Sequence, residues 1–207
     1  MMASQLTPRD VMTSTPVVPV IVVDNVEQAI NLGKALVAGG VPVLEVTLRT
    51  EAALAAISAL REQVPEAIVG AGTVCTRAQY VQAVEAGSQF IISPGMTPDL
   101  LAVGKEYDVP YLPAVATISD ILLGIEYGYD HFKFFPAEIN GGVKALKAFS
   151  GPLADISFCP TGGVSPANYK EYLALPNVLC VGGSWIVPKD LIEAGKWDEI
   201  TALAKQL

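Results

Sequence analysis

Eight short apolar runs recur along the chain, and each is followed by a longer stretch with the spacing of an amphipathic helix. Four of the runs end in Gly, Thr or Ser, which is typical of a strand that stops at a turn. Alternation of strands and helices predicts a parallel sheet, because a crossover helix joins parallel neighbours. The predicted strands span residues 17–23, 42–48, 67–73, 89–95, 110–116, 131–137, 156–163 and 178–184.

The helical stretches between these runs have recognisable ends. One stops at the pair Gly39 and Gly40, and another begins at a Thr76 cap and ends at Gly87. A third is predicted to start with Ser165 as its N-cap and Pro166 at its first helical position.

Eight such units at a spacing of roughly 24 residues predict an α/β fold of the (β/α)₈, or TIM, barrel type. We expect one domain over residues 1–207. An open doubly wound sheet is the alternative, but it would place a glycine-rich dinucleotide loop after the first strand, where this chain has VVDNVE. Residues 7–15 predict a short extra N-terminal helix across the N-terminal mouth of the barrel.

The charge and cysteine content narrow the partners and the compartment. The formal net charge is -8, so the chain offers no basic stripe for a nucleic acid. Its 3 cysteines lack metal-site spacing, which favours reduced thiols in a cytoplasmic protein. The N-terminal sequence lacks the regions of a signal peptide, and residues 16–23, the longest apolar run, are too few to cross a membrane. We therefore expect neither a membrane nor a nucleic acid as partner.

The second predicted strand carries charge where a buried strand ordinarily has none. Alternation places Glu45, Thr47 and, beyond the strand end, Arg49 on one side. In a barrel the active site lies at the carboxyl ends of the strands, so these residues are candidates for it. A salt bridge that braces the barrel mouth is the alternative explanation.

The sixth predicted strand places a lysine among phenylalanines, in the segment DHFKFFPAE. Lys133 shares its side of the strand with Phe135, while Phe132 and Phe134 face the helices. A lysine in a dehydrated interior is disfavoured as an ammonium ion, and its neutral amine can attack a carbonyl to form a Schiff base. If the alternation were reversed, Lys133 would instead reach the surface with its stem on the phenylalanines.

Two glycine pairs follow the seventh and eighth predicted strands, in PTGGVSP and VGGSW. Barrel enzymes gather backbone N–H groups around a phosphate at these positions, and glycine lets the backbone approach the oxygens. Tight turns without a ligand are the alternative. The segments GAGT, ending at Thr73, and ISPG, with Pro94, end the third and fourth strands at the same mouth.

A metal-dependent mechanism is disfavoured. His131 is the only histidine, and the carboxylates at the strand ends are not grouped with other metal-type ligands. We expect no metal and no other cofactor.

Six segments together closely resemble the bacterial 2-keto-3-deoxy-6-phosphogluconate aldolase family, whose members also act as 4-hydroxy-2-oxoglutarate aldolases. The resemblance covers nearly the whole chain in the family's order. It implies a cofactor-free class I lyase of acid-sugar breakdown, the Entner-Doudoroff pathway, on a (β/α)₈ barrel that assembles as a homotrimer. The segments are GGVPVLEVTLRTEAAL, IVGAGTV, FIISPG, FKFFPAE, CPTGGVSPANY and VGGSW.

The resemblance also implies roles for individual residues. Lys133 would form the Schiff base, and Glu45 would act as general acid and base. Arg49 and Thr73 would hold the pyruvate carboxylate. The remaining expectations are a phosphate near Gly162, Gly163, Gly183 and Ser184, a contact of Thr161 with the sugar-acid chain, and a pyruvate pocket walled by Pro94 and Phe135.

Three other functions stay open on the sequence. One is a closely related aldolase for 2-keto-3-deoxy-6-phosphogalactonate, or one whose natural substrate lacks a phosphate. Another is a phosphate-binding barrel isomerase, which would share the two glycine pairs but form no imine. The third is a protein that binds a phosphosugar without turnover.

Overall fold

The computed structural model describes residues 6–207, in which strands and helices alternate. The strands are β1 Val17–Ile21, β2 Val43–Thr47, β3 Ile68–Gly72, β4 Ile91–Ile92, β5 Tyr111–Leu112, β6 Ala114–Val115, β7 His131–Phe134, β8 Ser157–Pro160 and β9 Val181–Gly183. The helices are α1 Pro8–Thr13, α2 Val26–Ala38, α3 Ala53–Gln63, α4 Arg77–Glu85, α5 Pro98–Val103, α6 Ile118–Glu126, α7 Gly142–Phe149, α8 Tyr169–Leu173, α9 Lys189–Glu193 and α10 Trp197–Ala204.

All strand pairs among the described residues are parallel, as the alternation predicts. One sheet has the order β5-β4-β3-β2-β1-β9, and a second has the order β6-β7-β8. Single bridges, Phe158 to Val178 and Thr161 to Gly182, connect β8 with the β9 segment. The parallel sheet curls into a half-barrel.

The fifth predicted strand is two short strands with Pro113 between them. Proline has no backbone N–H group to donate to a neighbouring strand, so Pro113 interrupts the hydrogen bonding between strands at this point. Strand β5 pairs with β4 on one side of this point, and β6 pairs with β7 on the other. The Pro113 carbonyl still accepts a hydrogen bond from the Lys133 N–H at 3.1 Å.

The two faces of the strands bury separate apolar clusters. Alternate strand residues pack outward under the helices, and the others form an inner cluster of Val18, Val43, Phe90, Ile92, Leu112, Cys159 and Cys180. Helix α1 contributes Val11 and Met12 to this inner cluster, and both are fully buried. Its N-cap, Thr7, accepts a hydrogen bond from the Asp10 N–H at 3.1 Å, and the Thr7 N–H donates to the Asp10 carboxylate at 2.9 Å.

Three of the predicted helix ends are confirmed, including the end of α4 before Gly87, and one is wrong. Thr76 caps α4 by accepting from the Gln79 N–H, and α2 ends before Gly39. Ser165 is not an N-cap, because α8 begins only at Tyr169 with Asn168 as its cap residue.

The Asn168 side chain explains the late start of α8. Its Oδ1 accepts from the Ser165 N–H at 2.8 Å, and its Nδ2 donates to the Gly163 carbonyl at 3.2 Å. These bonds hold residues 165–168 as a turn, because an asparagine that bonds to nearby backbone competes with helix formation.

No helix within residues 6–207 is long and apolar enough to cross a membrane.

Candidate active site

The centre of the candidate site is a contact between Lys133 on β7 and Glu45 on β2, which are 88 residues apart in the sequence. The Lys133 Nζ lies 3.2 Å from the Glu45 Oε1, and the two side chains are only 8% and 2% exposed. Removing two charges from water is costly, and attraction between them repays it only when they pair closely. Lysine and glutamate are rarely buried in an apolar core, so this buried pair marks the position as a candidate functional site.

The alternation predicted for the FKFF segment is present in the structure. Phe132 and Phe134 are fully buried in the outer cluster beneath the helices. Lys133 points the other way, and its Nζ lies 5.3 Å from the centre of the Phe135 ring. The alternative in which Lys133 reaches the surface is therefore wrong.

Gly72, which the sequence analysis did not single out, makes room for the Glu45 carboxylate. A Cβ atom at Gly72 would lie 2.2 Å from the Glu45 Oε1, a distance that two atoms cannot occupy without displacement. Only glycine at this position lets β3 pass beside the carboxylate. The second glycine of GAGT was the sequence signal for this contact. A glycine in a strand can mark either a turn or a close approach of another group to the backbone, and the sequence does not distinguish the two.

One buried thiol near the pair, that of Cys180, adds no charge to it. A hydrogen bond with Cys159, and then burial, raise the pKa of Cys180, so this thiol stays protonated at neutral pH. Cys159 is the register partner of Lys133 on the neighbouring strand β8. Cys159 and Cys180 belong to the inner cluster, so this cluster extends to the strand beside Lys133.

Thr73 directly follows β3 with a backbone φ of 60°. This left-handed conformation is uncommon for a β-branched residue and costs of the order of 1–3 kcal/mol, so surrounding contacts must maintain it. Its side chain is half-buried, next to the strand that carries Gly72. Backbone strain of this kind is concentrated at functional sites in proteins.

Pro94 and Phe135, predicted to wall one pocket, line the same small cavity of about 210 Å³. Ala114 and Val115 of strand β6 also line this cavity. The structure thus brings together the ends of the fourth and sixth predicted strands, and Phe135 connects this cavity with the Lys133 side chain, which lies against its ring.

Arg49 and Ser184 line a separate cavity of about 400 Å³, next to β1 and the N-terminus of α9. Within residues 6–207 the Arg49 guanidinium makes no hydrogen bond or ion pair. Glu45 pairs with Lys133 and not with Arg49. The salt bridge considered between Glu45 and Arg49 is therefore wrong. An exposed guanidinium is available for a carboxylate, which it can grip with two parallel hydrogen bonds.

The two glycine pairs lie side by side, but only Gly162 and Gly163 follow their strand, β8, whereas Gly182 and Gly183 form the end of β9 itself. Gly162 and Gly163 have φ values of 96° and 78°, which favour glycine. Thr161 bridges to Gly182, and a Cβ at Gly182 would lie 2.2 Å from the Thr161 Oγ1. The Thr161–Gly163 turn therefore packs closely against Gly182, Gly183 is the last residue of β9, and Ser184 follows directly on it.

No group of three or more His, Cys, Asp or Glu side chains that could hold a metal occurs within residues 6–207. Together, the parallel α/β fold and a buried amine next to a buried carboxylate are typical of enzymes that use a lysine nucleophile and a carboxylic acid or base. Residues 9–203 match the family model described as KDPG and KHG aldolase, and the chain belongs to this family.

Individual relatives agree with the family match. The chain is 59% identical over 196 residues to the KHG/KDPG aldolase of Escherichia coli, a match that covers 95% of this chain and 92% of the relative. A KDPG aldolase of Legionella pneumophila, solved with pyruvate captured as a covalent carbinolamine, is 49% identical with a TM-score of 0.95 over 96% of this chain and 97% of that one. The Zymomonas mobilis enzyme with 3-phosphoglycerate is 48% identical with a TM-score of 0.90, over 96% and 93% of the two chains. The resemblance stated from the sequence is confirmed.

Proposed function

We propose that this protein is a class I aldolase that cleaves 2-keto-3-deoxy-6-phosphogluconate to pyruvate and glyceraldehyde 3-phosphate. It also cleaves 4-hydroxy-2-oxoglutarate to pyruvate and glyoxylate. The observation that carries the proposal is the 3.2 Å contact between the Lys133 amine and the Glu45 carboxylate inside the sheet. The family match and the covalent pyruvate in the Legionella pneumophila relative support it.

The reaction follows from these two groups. The Lys133 amine attacks the C2 ketone, and loss of water from the carbinolamine gives a protonated imine, which accepts the electrons of the C3–C4 bond. Glu45 removes the proton of the C4 hydroxyl as that bond breaks, so the aldehyde leaves and an enamine of pyruvate remains. Glu45 returns a proton to C3, and water then hydrolyses the imine to free pyruvate and the amine.

Substrate contacts are assigned from the family pattern. Arg49 and Thr73 hold the carboxylate of the pyruvyl part, which fixes the exposed face of the enamine. The exposed guanidinium and the strained backbone of Thr73 support this assignment. Pro94 and Phe135 wall the pocket beside Lys133, and the cavity that they share supports this role.

The far end of the substrate is assigned to the two glycine loops. Gly162, Gly163, Gly183 and Ser184 bind the phosphate, and Thr161 contacts the sugar-acid chain. The glycine turn after β8 lies beside the glycine pair that ends β9, which supports the assignment, since backbone N–H groups there can approach the phosphate oxygens. The relative from Zymomonas mobilis was solved with a phosphorylated ligand, 3-phosphoglycerate.

We also infer that the chain forms one domain and that its two sheets form a single closed (β/α)₈ barrel, with α1 over the N-terminal end. The bridges between β8 and β9 and the continuity of β5 with β6 across Pro113 support closure. The burial of Val11 and Met12 in the inner cluster supports the position of α1.

Helix α6 supports the homotrimer of the family. Its Ile118, Leu122 and Ile125 are 45%, 50% and 39% exposed. They recur at the spacing of one helix face, so they form an apolar stripe that a second copy would cover.

Reduction of the imine tests the proposed function. Incubation with pyruvate and borohydride should leave a reduced pyruvyl group on Lys133, located by peptide mass spectrometry. Lys133→Met should abolish the adduct, whereas Lys105→Met, which removes an amine that lies on the Tyr129 ring, should keep it. An unmodified protein, as expected for an isomerase or a non-catalytic binder, or an adduct on another lysine would contradict the proposal.

A further inference from the structure

Backbone hydrogen bonds join the segment that follows β7 to the loop that follows β8. The Ala137 N–H donates to the Thr161 carbonyl at 2.8 Å, and the Glu138 N–H donates to the Gly162 carbonyl at 3.1 Å. The shape of the Thr161–Gly163 loop is therefore tied to Glu138, a residue that the proposed mechanism does not use.

The Glu138 side chain lies directly against this loop. A Cβ atom at Gly163 would lie 2.5 Å from the Glu138 Cγ and 2.7 Å from its Cβ. The Gly163 backbone thus packs on the stem of the glutamate, in a conformation with φ of 78° that favours glycine. A change in the Glu138 stem would change the surface that supports the loop.

Tyr172 of α8 fixes the Glu138 carboxylate. Tyr172 is fully buried, and its hydroxyl donates a hydrogen bond to the Glu138 Oε1. Burial, and then this hydrogen bond, raise the pKa of Tyr172, so the phenol remains a donor at neutral pH. A Cβ at Gly142 would lie 3.0 Å from both the Glu138 Oε1 and the Tyr172 hydroxyl, so the start of α7 closes over the pair.

We propose that Glu138 and Tyr172 are positioning residues that hold the Thr161–Gly163 loop in the shape that receives the phosphate monoester of the substrate. The inference rests on the proposed function, which assigns the phosphate to this loop. Neither residue touches the reacting carbons or Lys133 in this scheme. Their contribution therefore concerns the phosphorylated substrate and not the formation of the imine.

The two substrates provide the test, because 4-hydroxy-2-oxoglutarate has no phosphate. Tyr172→Phe removes only the hydroxyl and should lower kcat/KM for 2-keto-3-deoxy-6-phosphogluconate about tenfold, mainly through a higher KM. For 4-hydroxy-2-oxoglutarate, kcat/KM should stay within about twofold of the unmodified protein. The yield of the borohydride adduct on Lys133 should also be unchanged.

Variants at Glu138 separate the hydrogen bond from the charge. Glu138→Gln keeps an acceptor for the Tyr172 hydroxyl and should retain most of the activity on the phosphorylated substrate. Glu138→Ala removes the acceptor and the stem under Gly163, so it should lose at least as much as Tyr172→Phe. Tyr129→Phe is the matched control, since it removes another buried tyrosine hydroxyl that donates to the Leu101 carbonyl at 2.8 Å.

Equal losses on both substrates would overturn the inference, because they would indicate a general structural role. Unchanged kinetics of Tyr172→Phe and Glu138→Ala on the phosphorylated substrate would overturn it as well. Failure of the proposed function would be visible separately, as the absence of a reduced pyruvyl adduct on Lys133 in the unmodified protein.

Discussion

At the scale of single residues, the proposed chemistry depends on one buried contact, between the Lys133 amine and the Glu45 carboxylate. Each group compensates the cost of burying the other, so neither can be removed without leaving an unpaired group in the interior. The same closeness lets the carboxylate exchange protons with a substrate held on the amine.

Glu45→Gln should remove proton transfer while keeping the size of the side chain. We expect kcat to fall about 10²–10⁴-fold, the range contributed by a general acid or base. Steady-state kinetics on both substrates measure this. Glu85→Gln, on the exposed surface of α4, is the matched control and should retain full activity. An active Glu45→Gln variant would remove Glu45 from the mechanism.

Gly72→Ala should disrupt the site without changing any reacting group. The added methyl would lie 2.2 Å from the Glu45 Oε1, so the carboxylate must move away from Lys133. We expect a loss of activity and a decrease of about 1–3 kcal/mol in the free energy of unfolding, as for other overpacked sites. Urea titration and turnover assays measure both effects.

The control for Gly72→Ala is Gly151→Ala, where an added Cβ would have no neighbour within 4 Å. This variant should match the unmodified protein in both assays. Full activity of Gly72→Ala would show that the carboxylate position is not restricted as the structure indicates.

At the scale of elements, short strands and helices owe their ends to local hydrogen bonds. Helix α1 begins at a capping box in which Thr7 and Asp10 each accept from the other's backbone. This box holds the helix that buries Val11 and Met12 against the inner ends of the strands. Since isolated short helices are unstable in water, α1 depends on both the box and this packing.

Asp10→Ala should lower the stability of the protein in a manner that depends on pH. Hydrogen bonds from the Thr7 side chain and backbone lower the pKa of Asp10 from its usual 3.8. For a carboxylate with a lowered pKa, the stabilisation is present above the unfolded pKa and is lost as pH falls through the folded pKa. Urea unfolding should therefore show a difference between Asp10→Ala and the unmodified protein at neutral pH that shrinks below pH 3.8.

Asp155→Ala, in an exposed turn, is the control and should change stability little at any pH. A difference for Asp10→Ala that persisted unchanged into strong acid would contradict a role for the ionised carboxylate.

At the scale of the whole molecule, the apolar stripe on α6 is a surface that a single copy leaves exposed. Leu122 is its most exposed member, at 50%. The buried core of a stable interface contains few charged residues. A lysine at position 122 would have to give up its hydration when a second copy covers the stripe.

Leu122→Lys should therefore shift the proposed homotrimer toward monomer, measured by sedimentation equilibrium. Gln82→Lys, an exposed position on α4, adds the same charge elsewhere and should leave the assembly unchanged. A Leu122→Lys protein that sediments like the unmodified one would place any interface on another face.

The sequence by itself determined the alternation of strands and helices and the parallel direction of the strands, and it predicted an inward Lys133 with the reversed alternation as the alternative. These follow from periodicity and from turn residues, which act over a few neighbours. Even the family could be recognised from short segments, because each segment carries its chemistry in consecutive residues.

Only the tertiary structure decided which charges meet. From the sequence, Glu45 had Arg49 as its nearest partner, yet it pairs with Lys133, 88 residues away. The need for glycine at position 72 and the contact of Tyr172 with Glu138 likewise depend on strands and helices that are distant in sequence. Distances across a folded interior are set by packing of the whole chain, and no local pattern encodes them.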